Sequence, residues 1–129
     1  MTLYLLDTTT IIDLSKGNPV TDRRMREAFA RGDHPGVCSI VVCEFETGLL
    51  AADRPGWEQI LRRLWFWPTS LQAAQRAGQE RFAFAHRGVQ IAVTDALIAA
   101  VAREVGAVLV TDNVKDFPQP DLQVVSWRT

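Results

Sequence analysis

The sequence is short of nearly everything that marks a secreted or membrane protein. It has only two cysteines, Cys38 and Cys43. That is too few for a disulfide-stapled scaffold, and both are expected to be reduced and buried. The opening run from Met1 to Asp7 has no basic n-region and no long apolar stretch before its aspartate, so it does not read as a signal peptide. The most apolar stretch, residues 89–110, is broken by Thr94, Asp95, Arg103 and Glu104, which makes a bilayer span costly. The expectation is a soluble, cytoplasmic protein with no membrane association.

Other absences narrow the chemistry. The two histidines, His34 and His86, are isolated, and no Cys/His spacing suits zinc. Lysine is scarce: Lys16 and Lys115 are the only two among fourteen basic residues, and the other twelve are arginines. Fifteen acidic residues bring the net charge to −1. A binder that holds nucleic acid by bulk charge alone is therefore disfavoured, whereas an enzyme with a local basic rim is not. No repeat, low-complexity segment or linker divides the chain.

What is present is ample core material, 47% hydrophobic over 129 residues, enough for one domain spanning 1–129. Leu3 to Leu6 reads as a buried parallel strand. Thr8, Thr9 and Thr10 can cap a helix through Ile11, Ile12 and Leu14, closed by Gly17. Asn18-Pro19 is a helix start signal. Gly36 to Ile40 reads as a second strand, and Val41 to Ala52 has helical periodicity with Val42, Phe45 and Leu49 on one stripe. A helix from Pro55, a possible strand Trp65-Phe66-Trp67 and a helix from Leu71 to His86 follow. Thr94 is expected to cap a helix ending at Gly106; Val108 to Val110 and Leu122 to Val125 are the last strands. Strands alternating with helices predict an α/β fold, a three-layer α/β/α domain with a mainly parallel sheet of about four or five strands. In such folds ligands lie beyond the carboxyl ends of the strands.

Acidic residues collect at those ends. Asp7 follows the first strand, Glu44 stands one helical turn after the second, and Asp95 opens the helix leading into the Val108–Val110 strand. Thr111 and Asp112 end that strand, with Asn113 and Asp116 next. Each has an ordinary explanation taken alone: a turn former for Asp7, a solvated helix residue for Glu44, a dipole-friendly first-turn acid for Asp95, and loop filler for Asp116. Taken together they would repel one another unless a cation joined them. Oxygen-only ligands suit Mg2+ or Mn2+, and such an ion is well suited to phosphoryl chemistry.

The segments Leu5-Leu6-Asp7-Thr8-Thr9, Ser39 followed by Glu44-Phe45, Thr94-Asp95-Ala96-Leu97-Ile98-Ala99-Ala100, and Val110-Thr111-Asp112-Asn113-Val114-Lys115-Asp116-Phe117 resemble the motifs of PIN-domain nucleases. They lie in the expected order along essentially the whole chain. The small size is similar to VapC-type toxins of bacterial toxin–antitoxin pairs. The resemblance implies a metal-dependent endoribonuclease with Asp7, Glu44 and Asp95 as metal-binding acids and Thr8 and Thr111 as hydroxyl residues beside them. It also implies an RNA substrate, a homodimer and a cognate antitoxin protein that blocks the site. The family often has a fourth acid two residues after the last-motif threonine, and here that position is Asn113. Its neighbours Asp112 and Asp116 compete for the role. Successive side chains of extended chain point to opposite sides, so if Thr111 faces the site Asp112 faces away. A helical turn over 113–117 would return Asp116 to the face of Asn113, with Phe117 as its anchor. Asp116 is the expected fourth ligand.

Two other readings compete. A haloacid-dehalogenase-like phosphatase needs a second aspartate two residues after the first, where Thr9 stands. A receiver domain needs an acidic pair near its start and a lysine after a late strand, and Lys115 alone does not supply this. A PIN-like module that binds RNA or protein without cutting would be expected to have lost an acid. The aromatics of Leu64-Trp65-Phe66-Trp67 are assigned to the core, with a partner interface as the alternative. Arg62, Arg63, Arg76, Arg81 and Arg87 are assigned mainly to a solvated helix face, with one or two available to rim the cleft.

Overall fold

The computed structural model describes residues 1–129. β1 (Leu3–Leu6) is the central strand, hydrogen-bonded on one side to β2 (His34–Cys38) and on the other to β4 (Val108–Val110). β3 (Trp65–Trp67) lies outside β2 and β5 (Val124–Val125) outside β4, giving the order β3-β2-β1-β4-β5 with every pair parallel. Leu5 and Leu6 are wholly buried, as the unbroken apolar run at the start of the chain requires of a strand covered on both faces. The chain builds outward from β1 through β2 and β3, then returns to lay β4 and β5 on the opposite flank. The reversal between β1 and β4 is a topological switch point, the usual place for a ligand crevice in such sheets.

Six helices cover the sheet: α1 (Thr8–Ser15), α2 (Pro19–Ala30), α3 (Ser39–Thr47), α4 (Arg54–Arg63), α5 (Leu71–Ala85) and α6 (Val93–Val105). No helix is long and apolar enough to cross a membrane. The Asn18 side chain caps α2 by accepting from the backbone N–H groups of Val20 and Thr21, and Pro19 occupies the first turn, where a missing N–H costs nothing. α6 is the most buried helix: Ala96, Ile98, Ala99, Ala100, Val101 and Ala102 are each no more than 1% exposed. Its run of small residues lets the helix sit close under its neighbours. Gly106 ends it in the left-handed conformation, φ 73°, which glycine enters without steric cost.

Several boundaries move. β2 begins at His34 and ends at Cys38 rather than running from Gly36 to Ile40. α3 starts at Ser39 and stops at Thr47, with a separate 3-10 turn over Ala51–Asp53; Gly48 breaks the periodicity that suggested one helix. Thr94 lies inside α6, whose N-cap is Ala92, and the last strand is reduced to two residues. The aromatic assignment also needs correcting. Trp65 and Phe66 are 44% and 55% exposed, because β3 is an edge strand and its outward residues have no covering layer. The Trp65 ring stacks on His34, with centroids 4.0 Å apart. Trp67 lies over Gly36, where a Cβ would fall 2.6 Å from the indole and 2.7 Å from the Trp65 carbonyl oxygen. A residue without a side chain is what permits β2 and β3 to pair there.

Candidate active site

Asp7 leaves the carboxyl end of β1 and becomes the N-cap of α1. It is 5% exposed. One strand over, the Thr111 hydroxyl at the end of β4 donates to Asp7 Oδ2 at 2.7 Å. Thr111 is held in turn by the Asn113 N–H, which donates to its Oγ1 at 3.1 Å, and by the Thr9 hydroxyl at 3.5 Å. Burial pushes the Asp7 carboxyl above the ordinary range, against the relief given by Thr111 and the Thr8 backbone; the charges of Asp116 and Asp112 push it further up.

Asp95 lies in the first turn of α6. A helix N-terminus ordinarily favours an anion, yet Asp95 is pushed up to about 6, first by burial and then by Asp7, Asp116 and Glu44, with no hydrogen bond to offset them. The groups that act on Asp95 identify its surroundings: the other three acids reach it. Glu44, on α3, is exposed and held by the Thr8 hydroxyl, which donates to its Oε1 at 2.8 Å. Asp116 ends a 3-10 turn over Val114–Asp116, behind which Phe117 is 5% exposed.

Asp112 points elsewhere. Ser126 donates to its Oδ1 at 3.0 Å, and Arg128 pairs with its other oxygen. Its charge acts on Asp7 but is not among those acting on Asp95, whereas that of Asp116 acts on both. Arg128 also grips Asp13, at 2.8 and 3.1 Å. Sequence reasoning missed this clasp of Asp13, Asp112, Ser126 and Arg128, and it missed Thr9, whose Oγ1 accepts from the Asp112 N–H at 3.2 Å. No local pattern joins residues 13, 112 and 128. The triple threonine was a visible signal, though only Thr8 was connected with the acids and Thr9 was read as helix capping.

The structure thus brings Asp7, Thr111, Asp95, Glu44 and Asp116 to one end of the sheet. As they stand, no three acidic, His or Cys side chains approach closely enough to hold one ion directly. The donor set still fits Mg2+ or Mn2+, since Mg2+ is often held by only one or two carboxylates and otherwise by water. Burial, reinforced by the charges of Asp7, Asp116 and Glu44, pushes Asp95 up to about 6, and the repulsive part of that shift is what a divalent cation would relieve.

Two cavities open from this cluster. One, of about 660 Å3, runs between α1, α3 and α4; Thr8 and Glu44 stand at it, and Ile12, Phe45, Leu49 and Trp57 line it. The other, of about 360 Å3, contains Asp95 and Asp116. Of the five arginines expected mainly on a solvated helix face, with one or two at the cleft, four are engaged elsewhere: Arg76 pairs with Asp121 and Arg81 donates to the Ile91 carbonyl, while Arg63 and Arg87 lie over the rings of Phe29 and Phe84.

The PIN domain family model matches residues 4–121. The chain belongs to the PIN-domain family. The family expected from four short motifs is the one found. Among its PIN relatives, Ribonuclease VapC19 of Mycobacterium tuberculosis is 30% identical over 125 residues, covering 94% of this chain and 98% of the relative. The tRNA(fMet)-specific endonuclease VapC of Salmonella typhimurium is 31% identical, covering 98% and 99%. The same architecture recurs in VapBC2 from Rickettsia felis bound to a promoter DNA fragment, with a TM-score of 0.86 and 26% identity over 98% of this chain and 99% of that one. A five-stranded parallel sheet with six helices is the PIN-like α/β fold anticipated above.

Proposed function

We propose that this PIN domain is a divalent-metal-dependent endoribonuclease, the toxin of a toxin–antitoxin pair acting in the cytoplasm. The observation that carries the reading is the meeting of Asp7, Glu44, Asp95 and Asp116 from four separate segments at the switch point, with no basic side chain neutralising them. Its PIN relatives carry the names ribonuclease and endonuclease, which favours RNA cleavage over a module that only binds.

Asp7, Glu44, Asp95 and Asp116 would hold Mg2+ or Mn2+, which supplies an activated water nucleophile and neutralises charge on the phosphate. The chain's own groups do the rest. The Thr111 hydroxyl fixes Asp7 by donating to its Oδ2. Thr8 orients Glu44 in the same way. Asp116 is the fourth acid, because Asp112 is committed to Ser126 and Arg128. Asp95, the acid most raised, is the group that would take up a proton near pH 6 when no cation is bound.

The apolar groove beside Glu44 suits an amphipathic segment of an antitoxin, whose occupancy would cover the acids. Exposed Leu71 and Phe82, at 69% and 68%, together with Trp65 and Phe66 on the sheet edge, are surface a second copy would bury in a homodimer. The test is cleavage of a mixed RNA pool by the purified protein with Mg2+ or Mn2+ and with EDTA. Metal-dependent cleavage is expected; cleavage undiminished by EDTA, or none under any metal, refutes the reading.

A further inference from the structure

We infer that the cavity between residues 89–92 and the 115–118 turn is a nucleoside subsite, taking one of the two nucleosides that flank the scissile phosphate of an RNA strand. The inference rests on the proposed nuclease activity and names where its substrate is read.

The cavity's position is the first argument. Asp95 and Asp116 form one side of it, and both belong to the cluster where the phosphate would be held. A strand whose phosphodiester lies on those acids must send a nucleoside to each side. The larger groove takes the Thr8 and Glu44 side. The smaller one shares Asp95 and Asp116 with the cluster and lies on its other side from Thr8 and Glu44. At about 360 Å3 it lies at the lower end of the roughly 300–1,000 Å3 typical of small-molecule sites, a size for a single base with its sugar.

The lining is the second argument. Val89, Ile91 and Pro118 supply apolar surface for the flat face of a base. The exposed Gln90 amide carries two donors and an acceptor, the equipment for reading a base edge. Lys115 is the only cation in the lining and takes part in none of the protein's ion pairs. As a compact point charge on a flexible stem it suits the next phosphate along the strand. In a chain with only two lysines and a net charge of −1, Lys115 stands in the lining of this cavity without pairing with either of its carboxylates.

The test is sequencing of cut sites in a randomised RNA pool, with wild type, Gln90→Ala, Lys115→Ala and Lys115→Arg. Val89, Gln90 and Lys115 are exposed, so these variants should fold. Wild type is expected to show a base preference at one position next to the cut. Gln90→Ala should reduce that preference about tenfold, the scale of one lost base contact. Lys115→Ala should raise KM more than it lowers kcat, and Lys115→Arg should recover most of the loss. Unchanged cut-site preference and KM in both alanine variants would overturn the subsite. If wild type cuts no RNA, the nuclease reading fails by itself, and titration with adenosine and uridine 5′-monophosphates decides the subsite separately. Shifted Val89 and Ile91 methyl resonances, abolished by Lys115→Ala, support it; shifts confined to other residues refute it.

Discussion

The chain gathers acids in two neighbouring places and treats them in opposite ways. At one, Asp13 and Asp112, with side chains 10% and 12% exposed, are joined by Arg128. The acids are neutralised, hydrogen-bonded and pinned, and the cluster is complete without a ligand. At the other, Asp7, Glu44, Asp95 and Asp116 share two threonine hydroxyls and no cation. Only the second leaves an acid, Asp95, raised to about 6 by burial and by its acidic neighbours with no partner to offset them. Asp112 belongs to the first cluster although it follows Thr111, a member of the second. The contrast shows that a carboxylate's role is set by its counter-charge, not by its place in a motif.

The sharpest way to break this contrast is to remove a member of the open cluster. Asp7→Asn should lower RNA cleavage at least about a hundredfold, the scale of losing a group that organises metal catalysis, while circular dichroism reports an intact fold. Wild-type cleavage by that variant would place the chemistry elsewhere. The closed cluster should respond in stability instead. Arg128→Ala leaves Asp13 and Asp112 facing each other without their shared cation and should lower the urea midpoint, less than for a deeply buried pair because Arg128 is half exposed. Adding Asp112→Asn to that variant should restore part of the loss.

A smaller effect separates the two aspartates of the last motif. Asp116→Asn should weaken Mn2+ binding about tenfold by calorimetry, and Asp112→Asn less than about threefold. The reverse order would move Asp112 into the open cluster. The smallest effect is on pH dependence. Asp95 has an ordinary value of 3.8 and one of about 6 in the fold, so the folded state holds the proton more tightly than the unfolded chain. Metal-free protein should therefore lose stability as pH rises from about 4 to about 6 and carry the full penalty above that. Asp95→Asn should reduce this slope, leaving the part that the raised Asp7 carboxyl contributes, and gain roughly 1 kcal/mol at pH 7.5. Below that window the trend reverses, because Asp33 and Asp121, held low by Thr2 and Arg103, begin to lose their partners.

The open cluster was largely legible in the sequence and the closed one was not, for a physical reason. Asp7 follows a strand, Asp95 opens a helix and Glu44 lies within the helix that follows β2, so a parallel sheet goes far toward bringing these three to one edge. The turn that returns Asp116 toward the site was legible from Phe117, an apolar anchor in a polar loop. The clasp depends on Arg128 crossing from β5's far end to α1, a contact between residues 115 positions apart that no periodicity encodes. The exposure of Trp65 and Phe66 was misjudged because β3 is an edge strand, and edge position is a property of strand order rather than of composition. Helix starts erred where capping residues were plentiful: Thr94 was available, yet α6 begins one residue earlier with alanine as its cap.

The strand order has a consequence for how the protein is made. β1 is translated first and is central, but its partner on the switch-point side, β4, comes more than a hundred residues later. Until Val108–Val110 has left the ribosome, Leu5 and Leu6 lack one neighbour and Asp7 lacks the Thr111 hydroxyl. A nascent chain therefore holds Asp7 and Glu44 for most of its synthesis without the geometry that makes them a site. Whatever these acids do to RNA, they cannot do it to the message still being read until nearly the whole chain has emerged.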